Sequence, residues 1–179
     1  EKTTGITSFD VIRQLRKKLN IRKMGHAGTL DPMATGLLII GVGDATKELT
    51  SIIGADKTYT ATVQFGMQTT TGDADGEIIH EDKSFVLHSD TLKNALGSMT
   101  GSMILEVSKY SAVKQGGVPL YKKARNKESL VIPKREMVLH EATILAVDEK
   151  EKNAEIEFCV ASGTYIRSLA EELGKRLDT

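Results

Sequence analysis

The sequence predicts a single α/β domain of the α+β type, a mixed and largely antiparallel sheet with flanking helices. Three observations carry this expectation. Hydrophobic residues make up 40% and charged residues 27% of 179 positions, the composition of a globular chain long enough to bury a sizeable core. Apolar residues recur at helical spacing in some segments and alternate with polar ones in others. These segments do not alternate regularly, which disfavours a doubly wound parallel sheet.

The elements follow in order. Thr7 reads as an N-cap with Asp10 three residues on, and Ile12, Leu15 and Leu19 keep helical spacing to Asn20. Residues 21–36 are dense in glycine, hold no period and read as a loop. Leu37 to Val42 is a short apolar run, expected as a buried strand, and 44–53 as a short helix. Tyr59, Ala61, Val63 and Phe65 alternate with polar residues, the mark of a half-buried strand. Residues 66–76 read as a loop of Gly, Thr and Asp. Ser89 or Asp90 caps a helix presenting Leu92, Ala95, Leu96 and Met99, closed by Gly101. Gly116-Gly117 marks a turn. Strands are expected at about 136–147 and 154–161, joined near Asn153. Gly163-Thr164 opens a last helix with Ile166, Leu169, Leu173 and Leu177 on one face.

Composition also excludes. One cysteine, Cys159, rules out an internal disulfide framework and a multi-cysteine zinc site, and its apolar strand context reads as a buried thiol. No apolar run approaches the ~20 residues that span a bilayer. Glu1 to Gly5 lacks the apolar segment of a signal peptide, so a cytoplasmic protein without membrane contact is expected, and separately a monomer. The formal charge is zero, yet it is unevenly spread. Residues 1–30 carry seven basic against two acidic side chains, and 109–135 carry eight against one. Two such blocks form either solvated faces or a surface for phosphates.

Two motif fragments are set aside. Gly41-Val42-Gly43 begins like a dinucleotide fingerprint but has Thr46 where the third glycine belongs, so it reads as a strand-to-helix turn. Asp73-Ala74-Asp75-Gly76 resembles part of a calcium loop without the remaining ligands. His80, His88 and His140 show no metal spacing, and no metal is expected. Gly25-His26-Ala27-Gly28-Thr29-Leu30-Asp31-Pro32-Met33-Ala34-Thr35-Gly36 is different: three glycines, a proline and one carboxylate specify a tight backbone path. It serves either as a structural turn or as a loop holding a carboxylate and an imidazole close to a ligand.

That segment, followed by Leu37-Leu38, resembles the catalytic motif of the TruB family, the bacterial tRNA pseudouridine-55 synthases. Gly5-Ile6-Thr7-Ser8 resembles the family's first motif, and Asp56-Lys57-Thr58-Tyr59 with Thr69–Gly76 the second. Tyr110-Ser111-Ala112-Val113-Lys114, with Leu120-Tyr121 and Ala124-Arg125, resembles an inserted RNA-gripping segment at about 108–136. Ser162-Gly163-Thr164-Tyr165-Ile166-Arg167 resembles the last motif of the catalytic domain. The chain departs from the family at Thr3, where a proline is usual, and at Val107-Ser108, where a Pro-Pro pair is common. Family members continue beyond the position of Thr179, so the resemblance implies a catalytic domain over 1–179 without the C-terminal part.

The resemblance implies the pseudouridine synthase fold and isomerisation of uridine 55 in the tRNA T-loop, without cofactor. It assigns Asp31 as the catalytic carboxylate, Arg167 as its partner and Tyr59 as the aromatic that stacks on uracil. His26 would fill the space of a flipped-out base, Tyr165 would pack beneath the site, and Asp73 would contact substrate. Lys114, Lys122, Lys123 and Arg125 would meet the phosphates of the tRNA T-stem-loop. A tRNA-binding chaperone on the same scaffold is the alternative, although pure binding needs none of Asp31, Tyr59 and Arg167.

Overall fold

The computed structural model describes residues 1–126 and 128–179, which form two compact units, Glu1–Ala55 and Asp56–Thr179. Lys127 of the second basic block lies outside the described residues.

The first unit starts with helix α1 (Ser8–Leu19), which opens on the expected capping box between Thr7 and Asp10 and buries Ser8 and Ile12. Asn20 closes it in the left-handed region, a conformation asparagine tolerates. Strand β1 (Met24–His26), unforeseen in the glycine-rich stretch, pairs antiparallel with β2 (Ile40–Val42), His26 opposite Ile40. The expected strand over 37–42 is therefore shorter: Leu37 is 80% exposed and regular pairing begins only at Ile40. A 3-10 turn (Gly43–Lys47) and helix α2 (Leu49–Ile53) follow. Gly41 is required here, because a Cβ would stand 2.9 Å from the Ala45 carbonyl oxygen. The Gly-Val-Gly run is thus the end of β2 passing at Gly43 into a 3-10 turn.

In the second unit, β3 (Lys57–Gln64) precedes a small hairpin of β4 (Met67–Thr69) and β5 (Ile78–Glu81). Helix α3 (Ser89–Gly97) ends four residues before Gly101, and its N-cap is His88, without a side-chain bond, in place of Ser89 or Asp90. Gly101 instead starts β6 (Gly101–Glu106), a strand missed because its run is short and abuts the helix. The insert holds a two-residue hairpin, β7 (Lys114–Gln115) and β8 (Val118–Pro119) about the Gly116-Gly117 turn, then α4 (Leu120–Arg125). Strands β9 (Lys134–Asp148) and β10 (Asn153–Val160) lead to α5 (Ile166–Arg176).

The main sheet has the order β3-β10-β9-β6, and its pairings are all antiparallel. Strand β10 shows why it folds: Ala154, Ile156, Phe158 and Val160 are at most 1% exposed while Glu155 and Glu157 face outward. Leu92 and Leu96 of α3 and Leu169 and Leu173 of α5 close this core. Fully burying each such side chain is worth about 1.5–3 kcal/mol. A second cluster of Val107, Leu120 and Met137, joined by Val113, Leu130, Ile132 and Tyr165, roots the insert.

Candidate active site and nucleic-acid interface

The Asp31 loop is fastened from below by the chain's first residues. Lys2 is 1% exposed. Its Nζ donates to the carbonyl oxygens of Thr3, Pro32 and Ala34 at 2.9, 3.0 and 2.6 Å. Its backbone exchanges bonds with Gly36 (N to O 2.7 Å, O from N 3.1 Å). The Gly5 amide donates to Pro32 O at 2.9 Å. Ser8 Oγ accepts from the Leu30 amide at 2.9 Å and donates to its carbonyl at 3.2 Å. The residues on both sides of Asp31 are therefore pinned, and Gly28 and Gly36, with φ of 124° and 112°, take the positive angles this path needs.

Burial pushes the Lys2 ammonium below the usual lysine value, and the charge of Asp31 pulls it back up. Sequence reasoning missed this role. Lys2 counted there as one of seven surface cations, whereas it is a structural ion inside the loop. The one available signal was its place just ahead of the Gly-Ile-Thr-Ser motif. His26, at the end of β1, is half-buried with its Nδ1 enclosed and without a hydrogen-bond partner among the described residues.

In the second unit, Tyr59 lies on β3 opposite Phe158 and packs against the core. Arg167 stands in the first turn of α5, its side chain 11% exposed. One Nη donates to Thr71 O at 2.9 Å and lies 3.6 Å from Asp73 Oδ2; the other reaches Tyr110 O at 3.4 Å. Asp73 is equally enclosed, and its Oδ1 accepts from Thr71 Oγ1 at 2.5 Å and from the Asp75 amide at 3.2 Å. The Thr69–Gly76 loop sits tight on α5: a Cβ on Gly72 would stand 2.9 Å from Glu171 Oε1. One guanidinium thus joins the loop, the root of the insert and the last helix.

Tyr165, the N-cap of α5, packs into the cluster that roots the insert. Lys114 is exposed on β7, and Lys122, Lys123 and Arg125 belong to α4. Lys123 Nζ lies 3.5 Å from Gln115 Oε1, and the Arg125 guanidinium 5.7 Å from the centre of the Tyr121 ring. Among the described residues, no group of three His, Cys, Asp or Glu side chains is placed to hold a metal ion. Among the described residues, no helix is long and apolar enough to cross a membrane.

The class follows from fold and sequence together. A chain in the crystal structure of a Cbf5-Nop10-Gar1 complex superposes with a TM-score of 0.72 at 25% identity, covering 98% of this chain and 42% of that one. A chain of an H/ACA RNP bound to a substrate RNA containing 2'-deoxyuridine superposes with a TM-score of 0.70 at 22% identity, covering 98% and 41%. The model of the TruB family pseudouridylate synthase N-terminal domain matches residues 16–166. The chain belongs to this family. It is similar to tRNA pseudouridine synthase B of Arthrobacter sp. strain FB24, 39% identical over 183 residues covering 100% of this chain and 60% of the relative. To the protein of that name from Cupriavidus metallidurans it is 40% identical over 177 residues, covering 99% and 56%. The chain thus spans about 60% of the length of the curated relatives it matches.

Proposed function

We propose that the protein isomerises uridine 55 in the T-loop of tRNA to pseudouridine, with Asp31 as the catalytic carboxylate. The bond from N1 to the ribose anomeric carbon breaks, the uracil turns, and C5 bonds to that same carbon. N1 gains a proton and C5 loses one, so no atom is gained or lost overall. The sugar passes through an electron-poor state, which a carboxylate held beside it stabilises or captures. Arg167 keeps that carboxylate ionised and aimed, Tyr59 stacks on the uracil, and Asp73 holds Arg167 in place. His26 fills the space left by the flipped base, whose extrusion costs a few kcal/mol. The basic insert, with Lys114, Lys122, Lys123 and Arg125, grips the T-stem-loop phosphates. The setting is the cytoplasm and the working form a monomer.

The observation that carries this reading is the pinning of the backbone on both sides of Asp31, Leu30 to Ser8 Oγ and Pro32 to the Gly5 amide, in a glycine loop of a TruB family chain. The test is incubation with unmodified tRNA and with a pre-folded T-stem-loop, followed by mapping of pseudouridine. Asp31→Asn keeps the shape and removes the charge. It is expected to abolish the product while leaving tRNA affinity within a few-fold. Turnover by the amide variant at more than a small fraction of the wild-type rate would overturn the assignment. Binding without product in the wild type would favour the chaperone.

A further inference from the structure

Helix α1 carries a feature that the isomerisation chemistry does not use. Phe9 is 51% exposed on its first turn. The guanidiniums of Arg13 and Arg16 each lie 5.6 Å from the centre of its ring. Arg16 is tied down by a bond to Met24 O at 3.3 Å, whereas Arg13 is 64% exposed. Phe9, Arg13, Arg16, Lys17 and Asn20 follow one another at helical spacing along a single stripe. Lys18 and Arg22 add exposed positive charge beside it. The one acid on this stretch, Asp10, is engaged by the Thr7 cap and by Arg13.

A lone exposed phenylalanine needs no explanation. Here an aromatic face, a planar cation that itself offers a stacking surface, and a row of cations lie together. That combination matches one ligand chemistry: an unpaired base attached to phosphates. From Phe9 to Lys17 the helix rises about 12 Å, enough for more than one phosphate beyond a stacked base.

We propose that this stripe is a second RNA-docking site, where an unpaired nucleotide stacks on Phe9 and Arg13 and its neighbouring phosphates meet Arg13 and Lys17. This rests on the RNA substrate of the proposed function and adds a contact separate from the insert. Direct binding measurements with an unmodified tRNA transcript test it. Phe9→Leu keeps an apolar helix former and removes the ring. It is expected to weaken binding about five-fold or more without changing the salt dependence, because no charge is lost. Lys17→Gln is expected to reduce the salt slope by nearly one.

The sequence contains no tryptophan, so Phe9→Trp creates a single reporter at the site. Its fluorescence is expected to be quenched as tRNA is added, as stacking on a base requires. Wild-type affinity in Phe9→Leu, or unchanged emission from Phe9→Trp in a tRNA-bound complex, would overturn the inference. A loss of thermal stability in both Phe9 variants, with binding impaired only in proportion, would make the ring a packing residue and also overturn it. Failure of the wild type to bind tRNA would instead sink the proposed function itself.

Discussion

At Arg167 the identity of a single cation matters more than its charge. The guanidinium reaches Thr71 O, Asp73 and Tyr110 O from different directions, a task for a planar fork. Arg167→Lys keeps the charge and loses the fork. We expect a fall of about 100-fold in the single-turnover rate with little change in tRNA affinity; near-normal chemistry would leave Arg167 as a general electrostatic contributor. Lys2 is the counterpart beneath the Asp31 loop. Lys2→Met removes the ammonium shared by the Thr3, Pro32 and Ala34 carbonyls, of which Pro32 O keeps the Gly5 amide as donor, and the loss is worth about 1–3 kcal/mol in all. The expected result is a large drop in the same rate in a protein that still binds tRNA, and unimpaired turnover would relieve Lys2 of its positioning role. Asp31, Tyr59 and Arg167 could be proposed from the sequence because five motifs occur in the order of the family the chain resembles. The burial of Lys2 could not, since composition places lysine on surfaces and only the folded backbone supplies three converging carbonyls.

At the scale of elements, long periodic segments could be read and short ones could not. Strand β10 and helix α5 bury whole stripes, while α1 hides Ser8 and Ile12 and leaves Leu19 48% exposed, so the first two patterns follow from the one face each must hide. Strand β1 has three residues in a run of glycines, and only its partner β2 makes it a strand. The cap of α1 was legible because its bonds are local. Donors from Thr7 hold the Asp10 carboxyl below its usual value. A depressed carboxyl contributes stability that is fully present above its unfolded value and is lost as pH falls through the folded one. Thr7→Ala is therefore expected to destabilise the protein by about 1 kcal/mol at neutral pH. The gap from wild type should narrow on acidification below the ordinary aspartate range, as Asp10 protonates in both proteins. Urea unfolding across that range reads it, and a constant gap would show that the cap acts without the carboxylate.

For the molecule as a whole, the net charge of zero is a poor guide to the proposed RNA partner, because the charges are sorted by place. On the outward face of the main sheet a shallow depression is lined by Thr58, Glu141, Thr143, Glu157 and Cys159, so acids collect there. Lys114, Lys122, Lys123 and Arg125 of the insert stand on β7 and α4, and Arg13, Arg16, Lys17 and Lys18 of the first block on α1. An RNA feels the local surface, since charges farther off than a Debye length of about 8 Å are screened at physiological salt. If the insert and α1 together neutralise about five phosphates, the logarithm of tRNA affinity should fall with the logarithm of salt at a slope near −4. The insert's share can be isolated. Lys122→Glu with Lys123→Glu removes two contacts and introduces repulsion on the same short helix, so the slope should flatten by at least ~1.5. Thermal stability should be nearly unchanged, because Lys122 is exposed and Lys123 makes one long bond to Gln115. A double variant that folds normally and keeps the wild-type slope would move the RNA off the insert, and the phosphate grip would then have to come from α1.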